Sequence, residues 1–259
     1  MATLSTKIMA HPKRAHLIPD LVERLGLTDE DVIWDTDNNR WHTGRRAWEA
    51  IDQSAQWGLV IQDDALPCRD LLPGLEIALD YVPRNVLLSP YVGTRRPVAA
   101  RVERAVADAL ERGAVFIEMP SLCWGVAIAA PTRIIDGMLP WCDEQTYPNY
   151  DRRIGRYAID VKRMETWCTV PSLVDHRDIP SLVGHGEGRV AHHFIGENAS
   201  ALEVNWDRGS VRMFPVQTTA RRRGTGVYGS RGYRAARSLR VSRQGIGADA
   251  PDERPEGSA

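Results

Sequence analysis

Two rhythms of apolar and polar positions alternate through the first half of the chain. "LSTKIMA" (Leu4 to Ala10) is a short apolar run that stops at His11-Pro12 and reads as a strand. Behind it Leu17, Leu21 and Leu25 recur at helical spacing, with Gly26 as the stop. "DVIWDTDN" predicts a second strand running into Asp35 and Asp37, and "GRRAWEAIDQSA" returns to a helical period through Ala47, Trp48, Ile51 and Ala55. The third strand, "WGLVIQDD", ends on Asp63 and Asp64. A helix carrying Leu71, Leu72, Leu75 and Leu79 leads to the strand "NVLLSPYV". The helix "AARVERAVADALERG", stopped by Gly113, then leads to "AVFIEMP". Strands alternating with helices predict an α/β fold with a mainly parallel sheet covered on both faces. Ligands of such sheets bind beyond the carboxyl ends of the strands. His11, Asp35, Asp37, Asp63 and Asp64 are therefore expected on one rim.

From about Ser121 the pattern loosens. "SLCWGVAIAAPTRIIDGMLPWCDE" predicts a small strand, a helix started by proline, and a turn carrying Asp143 and Glu144. "YPNYDRRIGRYAIDVKRM" reads as a loop entering a helix with Asp151 near its start, and "ETWCTVPSLVDHR" as a last strand ending at His176. Beyond about Arg221 the chain is rich in Arg, Gly and Ser and poor in apolar residues, the composition of a disordered tail.

Composition narrows the function classes. With 43% hydrophobic and 26% charged residues among 259, the chain can bury a sizeable core. A formal net charge of −1 implies no global attraction to nucleic acid or membrane. No run approaches the length of a membrane span, and the apolar stretch near the N-terminus is too short for a signal peptide. The 4 cysteines are scattered without a CxxC pair, which suits a reducing cytoplasm and argues against thiolate metal binding.

The chemistry concentrates in "WGLVIQDDALPC" (Trp57 to Cys68), where an apolar strand runs into two adjacent carboxylates. Like charges side by side repel, so the pair is expected to meet something positive or to stay solvated at a strand end. Removing the charge of Asp64 is accordingly expected to leave the apo protein unchanged or more stable. "GTGVYG" (Gly224 to Gly229) fits a dinucleotide fingerprint, but it follows an Arg run and lacks a preceding strand. His185, His192 and His193 lack the spacing of a zinc motif.

The order of these elements resembles a GT-A glycosyltransferase, a Rossmann-like α/β fold. The likeness is to small enzymes of actinobacterial phages and their hosts, through "LVIQDDA" (Leu59 to Ala65), the "WG" segment and "PSLVDH" (Pro171 to His176). It covers roughly residues 5 to 200. It implies a nucleotide-sugar half over 1–120, a smaller acceptor-side half over 121–220, and a disordered tail over 221–259. The implied reaction moves a sugar from a nucleotide-sugar donor to an acceptor left open between a modified DNA base, a protein and a glycan. Mn²⁺ or Mg²⁺ would hold the diphosphate, with Asp64 as direct ligand, His176 as a further one, and Asp63 on the ribose or a metal-bound water. The sequence has Gln62-Asp63-Asp64 where a spaced DxD is usual.

His11 and Pro12 stand where such enzymes begin the nucleotide pocket, and Lys13 and Arg14 suit phosphate contact. Asp35 and Asp37 fit ribose or base edges, or capping of the next turn. Arg45, or its neighbour Arg46, suits the diphosphate. Asp143, Glu144 and Asp151 are the candidates for the base that takes the acceptor's proton; Asp151 also fits as an acid at a helix N-terminus. Trp124 and Trp141 fit a stacking role or the core. Two other readings stand beside this one. One is a nucleotidyltransferase, for which the N-terminal half lacks a Gly-rich phosphate loop. The other is a nucleic-acid-binding accessory protein on an inactive domain, engaging DNA through the arginines of the tail.

Overall fold

The computed structural model describes residues 1–94, 99–177, 179 and 190–213. The basic tail from Arg221, the "GTGVYG" stretch and His185 lie outside the described residues.

The strands are β1 (Leu4–Ala10), β2 (Val32–Trp34), β3 (Trp57–Gln62), β4 (Ala65–Pro67), β5 (Val86–Ser89), β6 (Phe116–Met119), β7 (Ala127–Pro131), β8 (Glu165–Thr169), β9 (Val174–His176) and β10 (Ser210–Arg212). The helices are α1 (Ile18–Leu25), α2 (Arg40–Glu49), α3 (Leu71–Leu79), α4 (Ala99–Arg112), α5 (Ile135–Asp143) and α6 (Tyr150–Asp160). Eight strands form a mostly parallel sheet in the order β2-β1-β3-β7-β5-β8-β6-β10, and β4 pairs with β9 in a separate ribbon. Strand β7 is antiparallel to both β3 and β5, and β6 is antiparallel to β8, so the sheet is mixed beyond its first three strands.

The core follows from the period of two in β1 and β3. Ile8 and Ala10, with Trp57, Leu59 and Ile61, face the apolar stripes of α1 and α3. Met9 and Val60 face the other way, onto Trp48 of α2, Met138 of α5 and Ile154 of α6. Helix α4 buries Val102, Ala105, Val106 and Ala109 against Ile117 of β6, Cys168 of β8 and Val211 of β10. Strands buried on both faces read as continuous apolar runs, which is why "WGLVI" shows no alternation.

Three boundaries differ from those the sequence predicts. Helix α2 begins at Arg40, not at Gly44, because the Asn39 side chain accepts from Trp41 N and His42 N and caps it there. Asp143 is the last residue of α5 and not part of the following turn. The predicted last strand is two strands in different sheets: β8 stops at Thr169, and the chain leaves the main sheet at Pro171, which has no N–H to give a ladder. Ser172 is then held by the 190s segment, its Oγ donating to His192 O at 2.8 Å and its N–H to His193 O at 3.1 Å.

Candidate functional site

Parallel neighbours in register end together, and this sets the rim. Ile8 to Ala10 of β1 lie beside Val32 to Trp34 of β2, and Met9 lies beside Gln62 of β3. His11, Asp35 and Asp63 therefore follow the ends of three adjacent strands. The first turn of chain after β1 makes His11 N–H donate to Asp63 Oδ2 at 2.7 Å, while Asp63 N–H donates back to Met9 O at 3.1 Å.

Asp63 and Asp64 are each only 4% exposed, and their counter-charge is Arg14. Its Nη1 donates to Asp63 Oδ1 at 2.8 Å and to Asp64 Oδ2 at 2.5 Å, with Arg14 itself 9% exposed. The sequence pointed Arg14 at phosphate; in the structure it answers the repulsion of the acid pair from within the protein.

His176 arrives by a separate route. Ala65 pairs with His176 in the β4–β9 ladder, and Arg177 N–H donates to Asp64 O at 2.8 Å. These bonds bring His176 Nε2 to 3.1 Å from Asp64 Oδ2. The other ring nitrogen, Nδ1, sits 3.0 Å from Arg177 O. A carbonyl only accepts, so Nδ1 carries the hydrogen, and Nε2 donates to the ionised carboxylate when it carries a second proton. The Arg177 side chain reaches Asp20 of α1, clasping β9 to the first helix.

The electrostatics divide the pair. Burial pushes the Asp63 carboxyl up, the neighbouring Asp64 charge adds to this, and Arg14 and His11 N–H only partly offset it. Burial would raise Asp64 too, but the hydrogen bond and charge of His176, then the charge of Arg14, outweigh it and hold Asp64 below the usual carboxylate range. The folded pair thus takes its first proton on Asp63. Linkage gives the signs. Asp63, raised in the folded state, makes stability fall as pH rises from the ordinary carboxylate value to its raised one. Asp64, depressed, makes stability fall as pH drops from the ordinary value toward its lower one. Asp63→Asn is expected to erase the first slope and keep the second in urea midpoints measured against pH; persistence of both slopes would assign the early proton elsewhere.

The other rim residues are held by local bonds. Asp35 Oδ1 accepts from Asp37 N at 3.1 Å and Asn39 N at 3.3 Å, the turn-capping alternative in geometric form. Asp37 pairs with His42, and Asn38 Oδ1 lies 3.3 Å from His11 Nε2, so this loop packs beside His11. Pro12 opens a short 3₁₀ segment, Pro12–Leu17, kinked at Arg14, whose cap is the His11 side chain, accepting from Lys13 N.

Of the three base candidates, Asp143 is engaged at both oxygens: Trp41 Nε1 donates to Oδ1 at 2.8 Å and Arg45 Nε to Oδ2 at 3.0 Å. Arg45 and Asp143, read from sequence as diphosphate contact and base, are instead brought together as a clamp between α2 and α5. Glu144 is exposed at the end of α5. Asp151 stands at the start of α6, and a Cβ built on Gly125 would lie 3.0 Å from Asp151 Cβ and 3.4 Å from Gln62 Nε2. The end of β3 and the start of α6 therefore meet at one glycine. Trp124 packs edge-on to Tyr91, and Trp141 against Tyr157.

Metal binding can be tested against the donor set. Among the described residues no group of three His, Cys, Asp or Glu side chains is spaced to hold an ion alone. Among the described residues, however, Asp64 Oδ1 is buried without a hydrogen-bond partner. A histidine whose Nδ1 is pinned by a backbone carbonyl beside a carboxylate is the usual preparation of an imidazole ligand. Asp64 and His176 fit a Mg²⁺ or Mn²⁺ that draws its remaining oxygens from a phosphate ligand and water. Sequence reasoning missed Arg14 as the pair's partner and Tyr150 as part of the site. The first was findable, because Arg14 follows the end of the strand that neighbours β3.

Among the described residues no helix is long and apolar enough to cross a membrane. No protein-family model matches the chain, and no curated protein matches it.

Proposed function

We propose that the protein is a metal-dependent glycosyltransferase that moves a sugar from a nucleotide diphosphate to an acceptor hydroxyl or amine. The observation that carries this reading is Asp64 itself: its Oδ2 meets His176 from a distant part of the chain, while its buried Oδ1 has no hydrogen-bond partner among the described residues. Most buried side-chain oxygens have a partner, so an open one beside a histidine leaves a place for a ligand.

Asp64 and His176 would hold the cation, which stabilises the negative charge of the departing diphosphate. Arg14 keeps Asp63 and Asp64 together and fixes the direction in which they face. Asp63 orients the loop after β1 through His11 N–H, and the loop from Asp35 to Asn39 borders the nucleotide side. Asp151 is the base: in a direct displacement the acceptor's oxygen or nitrogen bonds to the anomeric carbon, the bond to diphosphate breaks, and the acceptor's proton goes to the carboxylate. Asp143 does not suit this task while Trp41 and Arg45 occupy it.

The test is calorimetric binding of a panel of nucleotide sugars with and without Mn²⁺, followed by donor hydrolysis. Binding that needs the ion supports the reading; a panel that binds nowhere, ion or not, sinks it. His176→Ala is expected to weaken Mn²⁺ at least 10-fold, the lower range for lost support of a metal site, while changing nucleotide affinity without metal by less. Equal losses in both titrations would return His176 to a structural role.

A further inference from the structure

The base named above stands at the end of a helix, and a helix end frays unless something anchors it. The residue before it, Tyr150, is 3% exposed and sits in a slot with a glycine on each side. A Cβ on Gly44 of α2 would come within 2.8 Å of the ring at Cδ2, and a Cβ on Gly125 within 2.7 Å at Cε1. Both distances are too short for any side chain, so the slot exists because both walls are backbone. The ring's far end is also tied, since Tyr150 Oη donates to Gly125 O at 2.8 Å. Gly125 in turn precedes Val126, whose carbonyl accepts from Gln62 N at 2.8 Å, the last residue before the acid pair.

The geometry points to Tyr150 as a positioning residue: gripped between Gly44 and Gly125, it fixes the first turn of α6 so that Asp151 stands over the end of β3. This deepens the transferase reading and rests on it. The chain of contacts is short and stiff. From Gln62 it passes to Val126, to Gly125, to the Tyr150 ring and hydroxyl, and by one peptide bond to Asp151. Gly125 touches both ends, because the same missing Cβ that admits the ring leaves only 3.0 Å to Asp151 Cβ. The field across the slot is consistent with this placement. Burial, then the charges of Asp151 and Asp64, push the Tyr150 hydroxyl well above its ordinary value, so it remains a neutral donor to Gly125 O.

Gly125→Ala and Tyr150→Phe separate positioning from general support. Alanine at 125 forces the ring and Asp151 apart from the rim, whereas phenylalanine keeps the ring and loses only its tether. In Mn²⁺-dependent hydrolysis of the best donor from the panel, Gly125→Ala is expected to lower kcat roughly 100-fold, the scale of a misplacement of about 1 Å. Tyr150→Phe is expected to lower kcat by about 10-fold on the same argument. Donor KM and Mn²⁺ affinity should stay within about twofold for both, because the metal side of the rim is built on β3, β4 and β9. Wild-type kcat in Tyr150→Phe and Gly125→Ala overturns the positioning role and leaves the transferase reading standing. Parallel loss of KM, metal affinity and melting temperature also overturns it, in favour of plain structural support. A parent chain that hydrolyses no donor fails one step earlier, and removes the reaction that Tyr150 would serve.

Discussion

Replacing Arg14 with methionine is expected to cost about 4 kcal/mol of folding stability near neutral pH, within the range for breaking a buried ion pair. One guanidinium nitrogen bonds both carboxylates, at 2.8 Å and 2.5 Å, in a place where all three side chains are nearly out of water. Methionine fills similar volume but leaves two adjacent buried charges with His176 as the remaining partner. The loss should be pH-dependent, and its sign is fixed. Asp63 already holds its proton more tightly when folded than when unfolded, and losing Arg14 raises that affinity further. The variant's stability should therefore recover as pH falls through that raised value, because the folded state then gains a proton that the unfolded chain does not yet bind. Urea midpoints across the acidic range measure this directly. A change smaller than about 0.5 kcal/mol, the scale of an ordinary surface substitution, would mean the guanidinium is not the counter-charge of the pair.

Asp64→Asn is expected to lower metal-dependent donor turnover by about 1,000-fold, the consequence of losing several kcal/mol of charge stabilisation at the leaving group. It is also expected to destabilise the apo protein by about 3 kcal/mol, the lower end for a broken buried pair, since Asp63 still serves Arg14. Sequence alone predicts the opposite sign for stability, because it shows two acids in repulsion and no partner. The structure reverses it: Asp64 accepts from Arg14 and His176, and those charges hold it ionised despite burial. Parent-like turnover in this variant would move the metal site elsewhere, and a gain in stability would show that repulsion outweighs both partners.

Much of the rim is legible in the sequence because strand ends are local features. The apolar runs "LSTKIMA", "DVIW" and "WGLVI" each stop at a polar residue, and neighbouring parallel strands in register put His11, Asp35 and Asp63 side by side. The helix patterns of α1, α3 and α4 are equally direct, since their apolar residues keep one period against one face. What lies beyond the pattern depends on where a side chain turns after leaving its element. Arg14 is itself the kink inside the Pro12–Leu17 turns, which periodicity does not encode, so its direction, inward to Asp63 rather than outward to a ligand, is set by tertiary packing. "ETWCTVPSLVDH" carries no sign that its two halves belong to different sheets, except Pro171 in the middle. Asp143 reads as a turn acid, and only the docking of α2 on α5 commits it to Trp41 and Arg45. The Tyr150 slot is invisible for the same reason: a glycine in helix α2 and another before β7 become informative once both face one ring.

The ribbon of β4 and β9 also orders events in time. During synthesis the acid pair leaves the ribosome with Arg14 already made, so these charges can neutralise one another as soon as the first three strands associate. His176 emerges far later, and it reaches Asp64 only after β9 zips onto β4 and Arg177 finds both Asp64 O and Asp20. Long-range pairing of this kind comes late and is slow to form. A nascent chain shorter than this carries half of the proposed ion site, with the carboxylate in place and the imidazole missing. If the proposed ion site is real, competence to bind a divalent ion would be withheld until the C-terminal half has docked, and an incompletely folded protein would not capture cation and nucleotide prematurely.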